Sequence, residues 1–284
     1  MMESISIVIV LLMLQFRIEL PESIREQWFF QWADISHGFP MGRWCHVVLA
    51  LGVPCFIAVL LLYLACQLGF LVEIIVDVFI LLMAVVPTPL FSSMFNVTEK
   101  WQLDQVEDVP EILEELTDEP VDCEDNPLDQ LRGMQNTVFI MAALRSWFVP
   151  IFWFFLVSPV AALLYRLIQL MVEFHVEKNE EVNHILKQLL DWIEWPVARI
   201  LGLCFIVSGK VGEVFSAWCE GVLSIKRPNS EFLSDQLNVA LAIEPQDNES
   251  QLPVLQDRVS REVPAIKSLI IRCFILVAVI ALIF

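Results

Sequence analysis

Apolar positions in this chain are gathered into long, charge-poor runs instead of recurring at core periodicity. The first candidate span covers residues 46–66, within which the twenty positions 47–66 carry no charge. At about 1.5 Å per residue such a helix matches a hydrocarbon layer about 30 Å thick. A second run begins at residue 68 and is bounded near residue 90, so the chain turns at residues 67–69 and returns as a helical hairpin. A third, residues 147–171, is aromatic-rich and holds Pro150 and Pro159, and a fourth occupies residues 266–284. The pattern predicts an all-α, polytopic helical membrane protein with four transmembrane helices.

Two further segments decide whether there is a fifth. Residues 5–14 are apolar but too short to span, which suits an interfacial or buried helix. They lack the cationic leader of a secretory signal, since Met2 and Glu3 precede them, and are expected to be retained. Residues 195–218 are apolar but interrupted by Arg199, Lys210 and Glu213, and a central charge is expensive in lipid. This segment is re-entrant, interfacial or a fifth span. Lys and Arg near helix ends set orientation. With an inside N-terminus and four spans, the Lys/Arg-rich stretch after Met171 falls outside, against the rule. A crossing by residues 195–218 returns Lys226, Arg227, Arg258, Arg261 and Lys267 to the inside, and both topologies stay open.

Composition supports lipid as the solvent: 57% of the 284 residues are hydrophobic and 18% charged, against about 25% charged in an ordinary soluble domain. The net charge of −18 is unevenly placed. Residues 99–129 hold thirteen acidic side chains and one Lys, and so carry twelve of those negative charges. An acidic polar loop over residues 99–130, with Pro110, Pro120 and Pro127, is expected to be solvated and partly disordered, and it repels nucleic acid and anionic lipid. It serves as a solubilising loop or as an arm for a protein partner. Of the seven cysteines, Cys45, Cys55, Cys66, Cys204, Cys219 and Cys273 lie in or beside apolar segments and behave as small hydrophobes. Only Cys123 is in a polar loop, and no Cys-x-x-Cys spacing suggests zinc.

Candidate chemistry is sparse. Glu73 and Asp77, four apart, share one face of the second span, and ionisable groups there are functional candidates or lie near the interface. Tyr165 and Arg166 end the third span, where an interfacial Tyr and a snorkelling Arg are common. Arg145 marks the other end. Glu173, His175, Glu177, Glu180, Glu181 and His184 could gather about a metal, but no two His are spaced as a zinc pair, so a solvated amphipathic helix is expected and no metal or other cofactor is implied. Gly202 to Lys210 fails as a phosphate loop in spacing, with Val211 where a Ser or Thr would hold magnesium. No Gly-x-Ser-x-Gly nucleophile motif is present.

Two segments carry a resemblance. Residues 145–170, RSWFVPIFWFFLVSPVAALLYRLIQL, hold Pro150-x-Phe152-Trp153, Pro159 and Leu164-Tyr165-Arg166. Residues 194–218, EWPVARILGLCFIVSGKVGEVFSAW, hold an acid-aromatic pair, Pro196, Arg199, a Gly ten residues on at Gly209, and Trp218. Both resemble the AmpE and CobD/CbiB superfamily, as does the overall order of segments, which would make residues 1–284 a single AmpE-like membrane domain. Pro196 follows Trp195 directly where the family usually has one residue between, and Asp191-Trp192 offers a second acid-aromatic pair, so either Glu194 or Asp191 is the equivalent carboxylate.

The enzymatic branch of the superfamily makes adenosylcobinamide phosphate and follows its Tyr-Arg with an Asn-Thr-Leu-Asp-like motif, whereas here Leu167-Ile168-Gln169-Leu170 follows. The resemblance therefore implies the AmpE branch: a multi-pass bacterial inner-membrane regulatory protein linked to β-lactamase induction and cell-wall stress, with catalysis not demanded. The alternatives are a membrane-embedded ligase or transferase and a small ion-coupled transporter resting on Glu73 and Asp77. The implied partners are the lipid bilayer and a protein of a signalling pathway, with no nucleic acid. The implied site residues are Arg166, Tyr165, Arg199, Glu194, Asp191, Asp77 and Glu73, and a buried Arg199 is expected to pair with Glu194, Asp191 or Asp77.

Overall fold

The computed structural model describes residues 6–7, 9–10, 26–38, 42–85, 90–117, 127–175, 179–224, 227–243 and 252–283, which are joined into helices with no strand among them. Two compact units emerge. The first comprises Met1–Pro87, Ser146–Glu194 and Ala278–Phe284, the second Thr88–Arg145 and Trp195–Val277. Of residues 5–14, most lie outside the described positions; Ile7 and Val10 are helical and buried.

In the first unit, α1 (Trp28–His37) buries Phe29 and Ala33, and α2 (Arg43–Leu68) is apolar on every side. Val48, Phe56, Leu60, Leu61 and Leu64 are exposed, while Val47, Ala50, Ala58 and Ala65 form a narrow buried seam. A helix apolar all round suits lipid, and small residues let neighbouring backbones approach closely. Gly69 then takes φ +119, a conformation that disfavours any residue with a Cβ, and the chain turns into α3 (Phe70–Ala84), which packs back on α2. The hairpin expected from the two adjacent runs is present. Its second arm is helical for 15 residues, and residues 86–89 fall outside the described set.

The run at residues 147–171 is not one helix. In the second unit α6 (Pro127–Ala143) passes into a π-helical turn, Leu144–Phe148, and continues as α7 (Val149–Leu156) in the first. Pro150 accounts for the widening, because its ring crowds the carbonyl one turn back and it donates no hydrogen bond. After Val157, Ser158 Oγ accepts from the Ala161 N–H at 3.3 Å, and Pro159 opens α8 (Pro159–His175). A Ser cap followed by Pro at the first helical position is a start signal. α7 and α8 pack against each other across this two-residue joint as an αα-hairpin. α8 also packs against α1, α2 and α3.

α9 (Glu180–Cys204) contributes its residues up to Glu194 to the first unit and the rest to the second. Residues 195–218 are likewise not a single span: α9 ends in a 3-10 turn, Phe205–Ser208, Gly209 adopts φ +99, and α10 (Val211–Gly221) begins. The glycine expected ten residues after Arg199 is thus required by the backbone.

The acidic region is more ordered than a solvated loop. α4 (Leu90–Gln102) ends in it, and after a 3-10 turn at Val106–Asp108 comes α5 (Val109–Thr117), which buries Val109 and Leu113, one turn apart. α5 packs on α4 and α6 while Glu111, Glu114 and Glu115 stay exposed. Residues 118–126, with Cys123, lie outside the described set. α11 (Asn229–Leu241) packs against α6 and α10, and α12 (Leu252–Ile283) is 32 residues long, beginning well before the expected residue 266.

Among the described residues three helices are long and apolar enough to cross a membrane: Trp44–Leu68, Gln130–Leu156 and Leu252–Ile280. The expected first span falls within the first, and the expected last span, residues 266–284, overlaps the third over 266–280. The second is longer than expected at its N-terminal end because Gln135, Asn136 and Arg145 hide its continuity from a reading of charge-free runs.

Candidate functional site

The first polar centre is built on α8, which carries Tyr165, Arg166, Gln169 and Glu173 on adjacent turns. Tyr165 Oη donates to Glu194 Oε1 at 2.8 Å and accepts from Gln169 Nε2 at 2.9 Å. Tyr165 and Glu194 are both buried. Arg166 does not snorkel. It is buried, its Nη2 donates to Glu26 Oε1 at 2.9 Å and its Nη1 to Gln169 Oε1 at 3.2 Å, with Glu173 Oε1 3.8 Å away. Gln169 joins the two halves, giving its amide N–H to the phenol and its oxygen to the guanidinium. Charge on both sides of such a pair must be hydrogen-bonded to be tolerated in a buried setting.

The remaining carboxylates separate by burial. Asp77 is buried on α3 and Glu73, one turn earlier beside Gly69, is half-buried. Asp191 is exposed on α9, so Glu194 is the carboxylate brought to Tyr165. His184 is exposed and receives the Gln188 amide at 3.1 Å. Among the described residues no three His, Cys, Asp or Glu are grouped to hold a metal ion.

The second centre lies within the second unit. Arg199 is buried, with Nη1 donating to Asn229 Oδ1 at 3.1 Å and Nη2 to the Ser224 carbonyl at 3.0 Å. Its guanidinium carbon stands 4.0 Å from the centroid of Phe232 and 5.3 Å from that of Trp195, and the Trp218 indole donates to the Arg199 carbonyl at 2.8 Å. The carboxylate expected beside Arg199 is replaced by neutral acceptors and aromatic faces, and Nε has no hydrogen-bond partner. Burial and the neighbouring Arg227 push the guanidinium down to about 10, so it stays charged at neutral pH. Arg227 is neutralised separately by Glu231 and Asp235.

Phe232 seats the arginine because two glycines admit it. A Cβ on Gly202 would meet Phe232 Cε1 at 2.8 Å, and one on Gly221 would meet the same ring at 2.9 Å. Three helices, α9, α10 and α11, therefore converge on one ring, whose face takes the cation. The motif residues Arg199 and Trp218 meet here, but Asn229, Phe232 and the two glycines lay outside the sequence reading. Cys204, nearby in sequence, has its thiol pushed up to about 11 by burial, which leaves it unreactive at neutral pH.

A third network was not expected at all. Arg132 Nη1 on α6 donates to Glu262 Oε1 on α12 at 2.5 Å, Asn136 Nδ2 donates to Glu262 Oε2 at 2.9 Å, and the Trp101 indole donates to Gln135 Oε1 at 2.9 Å. Arg132, Gln135 and Asn136, spaced three and one apart, share a helical face. That spacing was the available signal.

A family model described as regulatory signalling modulator protein AmpE matches residues 44–283, which takes in Arg166, Arg199 and all three apolar helices. No curated protein and no solved structure matches the chain. The match covers well over half of the chain, and with it the Tyr165-Arg166 and Arg199 segments, so the chain belongs to the AmpE family of regulatory signalling modulators.

Proposed function

We propose that this chain is a multi-pass protein of a bacterial inner membrane that modulates β-lactamase induction in response to cell-wall stress. The observation that carries the reading is the family match across residues 44–283. The three apolar helices support the membrane part of it. A protein of this class needs an element that can exist in two arrangements, and a signal biases one of them.

The Arg199 centre is our choice for that element. Its cation is buried on neutral partners with Nε unmatched, so an anionic group on a ligand or partner protein would find a charge not already neutralised by a carboxylate. The Arg166 centre, paired with Glu26, is the scaffold-like one of the two. Asp191, Asp77 and Glu73 are secondary candidates.

The test is complementation of a deletion strain carrying an inducible β-lactamase. Wild-type protein restores the β-lactam-induced rise in activity, whereas Arg199→Ala accumulates to a normal level and fails to restore it. Induction unchanged by deletion overturns the regulatory reading, all the more if the strain instead requires cobalamin precursors. Loss of the Arg199→Ala protein itself, with Arg199→Lys restoring level but not induction, still supports the site; restoration of both by Lys makes Arg199 structural.

A further inference from the structure

We infer that α9 lies along the membrane surface with one apolar stripe sunk in the lipid. The helix divides into three arcs at about 100° per residue. Along residues 182–192, Val182, Leu186 and Leu190 form the buried arc. His184, Lys187, Gln188 and Asp191 form an exposed polar arc. Ile185, Leu189 and Trp192, all in the first unit, fall within about 60° of one another on the third, and Trp192 is 64% exposed. The cluster ending at His184 suggested a solvated amphipathic helix, but a solvated helix has no second apolar face.

The occupant is identified by size, composition and charge. A stable protein interface draws on about 20–30 residues a side, and this stripe offers three. It is about 10 Å long at helical rise, uncharged, and ends on Trp, the side chain enriched at the membrane–water boundary. The exposed polar positions include Glu180, Glu181 and Asp191 against Lys187, on a chain of net charge −18. Attraction to anionic lipid therefore contributes nothing, and the contact is insertion of apolar side chains into the acyl boundary of zwitterionic lipid. This rests on the membrane reading above, and the test is arranged to fail separately from it.

Single spin labels are placed at Ile185→Cys, Leu189→Cys and Trp192→Cys and, on the polar arc, at His184→Cys, Gln188→Cys and Asp191→Cys, in the full chain with its native cysteines replaced and reconstituted into phosphatidylcholine bilayers. A label at Phe56→Cys on the exposed face of α2 reports membrane insertion itself. Dissolved oxygen is expected to reach the stripe labels several-fold more readily than a water-soluble nickel chelate, with the polar arc reversed. Equal access by the chelate on both arcs overturns the inference in favour of water. Low access by both reagents on the stripe overturns it in favour of a protein cover, a second copy included. If Phe56 itself shows no lipid, the membrane reading fails instead. Should the cysteine-replaced chain not fold, a phosphatidylcholine bearing a photoactivatable acyl chain is used on the unaltered protein: adducts at Leu189 and Trp192 support the inference, and their absence while α2 is labelled overturns it.

Discussion

At the residue scale the Arg199 centre depends on what is missing from two positions. Gly202 and Gly221 leave the space that Phe232 fills, and the ring in turn carries the guanidinium. Gly202→Ala should therefore destabilise by about 1–3 kcal/mol, the usual range for overpacking. Phe232→Leu in the same chain should relieve part of that, giving a coupling of about 0.5–3 kcal/mol. Gly212→Ala, where a Cβ meets open space, is the control and should be neutral or gain about 0.5–1 kcal/mol from helix propensity. Thermal unfolding midpoints of the four variants in detergent decide it; equal losses at Gly202 and Gly212 would mean that the ring is not what the glycine accommodates. Arg199 was legible from its motif and Gly209 from its spacing. Phe232 and Asn229 were not, because a side chain thirty residues away becomes a neighbour only through tertiary packing of α11. Tyr165, Arg166 and Glu194 were legible as candidates, but their pairing through Gln169 was hidden by the ordinariness of a Gln on an apolar helix.

At the element scale, hydrophobic runs located α2 well, found only the apolar second half of α12, and failed where proline or polar residues cut or crossed a run. Ser158-Pro159 ends one helix and starts another inside what composition presents as a single stretch, because a run of apolar side chains says nothing about backbone hydrogen bonds. The opposite error occurred at α6, where Arg132, Gln135 and Asn136 masked helical continuity. Those polar residues instead hold α12. Glu262 receives both Arg132 and Asn136, and Arg132 is almost fully buried. Glu262→Ala takes the carboxylate away from that buried guanidinium and should cost about 3–5 kcal/mol, whereas the double replacement Arg132→Met with Glu262→Leu should recover most of the loss. The comparison is made by thermal unfolding of both proteins. A double variant as unstable as the single one would show that the loss comes from packing around Glu262 and not from an uncompensated charge.

At the scale of the whole molecule the break at Ser158 offers another way to reconcile span count with charge. With one span over residues 147–171 the Lys/Arg-rich stretch fell on the wrong side, and a crossing by residues 195–218 was needed to return it. If α7 and α8 are the two arms of a hairpin, α8 makes that return, and α9 and α10 are free to lie at the inner surface. Crossings by α2, α3, the Gln130–Leu156 helix, α8 and α12 then leave Gly69 and Val157–Ser158 as the outer turns, neither of which contains Lys or Arg. Lys100, Lys187, Lys210 and Arg227 then fall inside, Arg132 sits near the inner end of its helix and Arg258, Arg261 and Lys267 lie in the inner half of α12, as the bias of cytoplasmic loops toward Lys and Arg requires. Five crossings predict that reporter fusions after Asp108, Lys187 and Pro245 read as inside and a fusion after Phe284 as outside. The Asp108 fusion discriminates. α3 is 15 residues long as described, about 22 Å of helix, shorter than the hydrocarbon layer, and carries the buried Asp77. If it stops short of crossing, the acidic segment reads as outside and the count falls by one. An outside signal after Lys187 together with an inside signal after Asp108 would remove α8 as the returning helix and, with it, the inner-surface placement of α9.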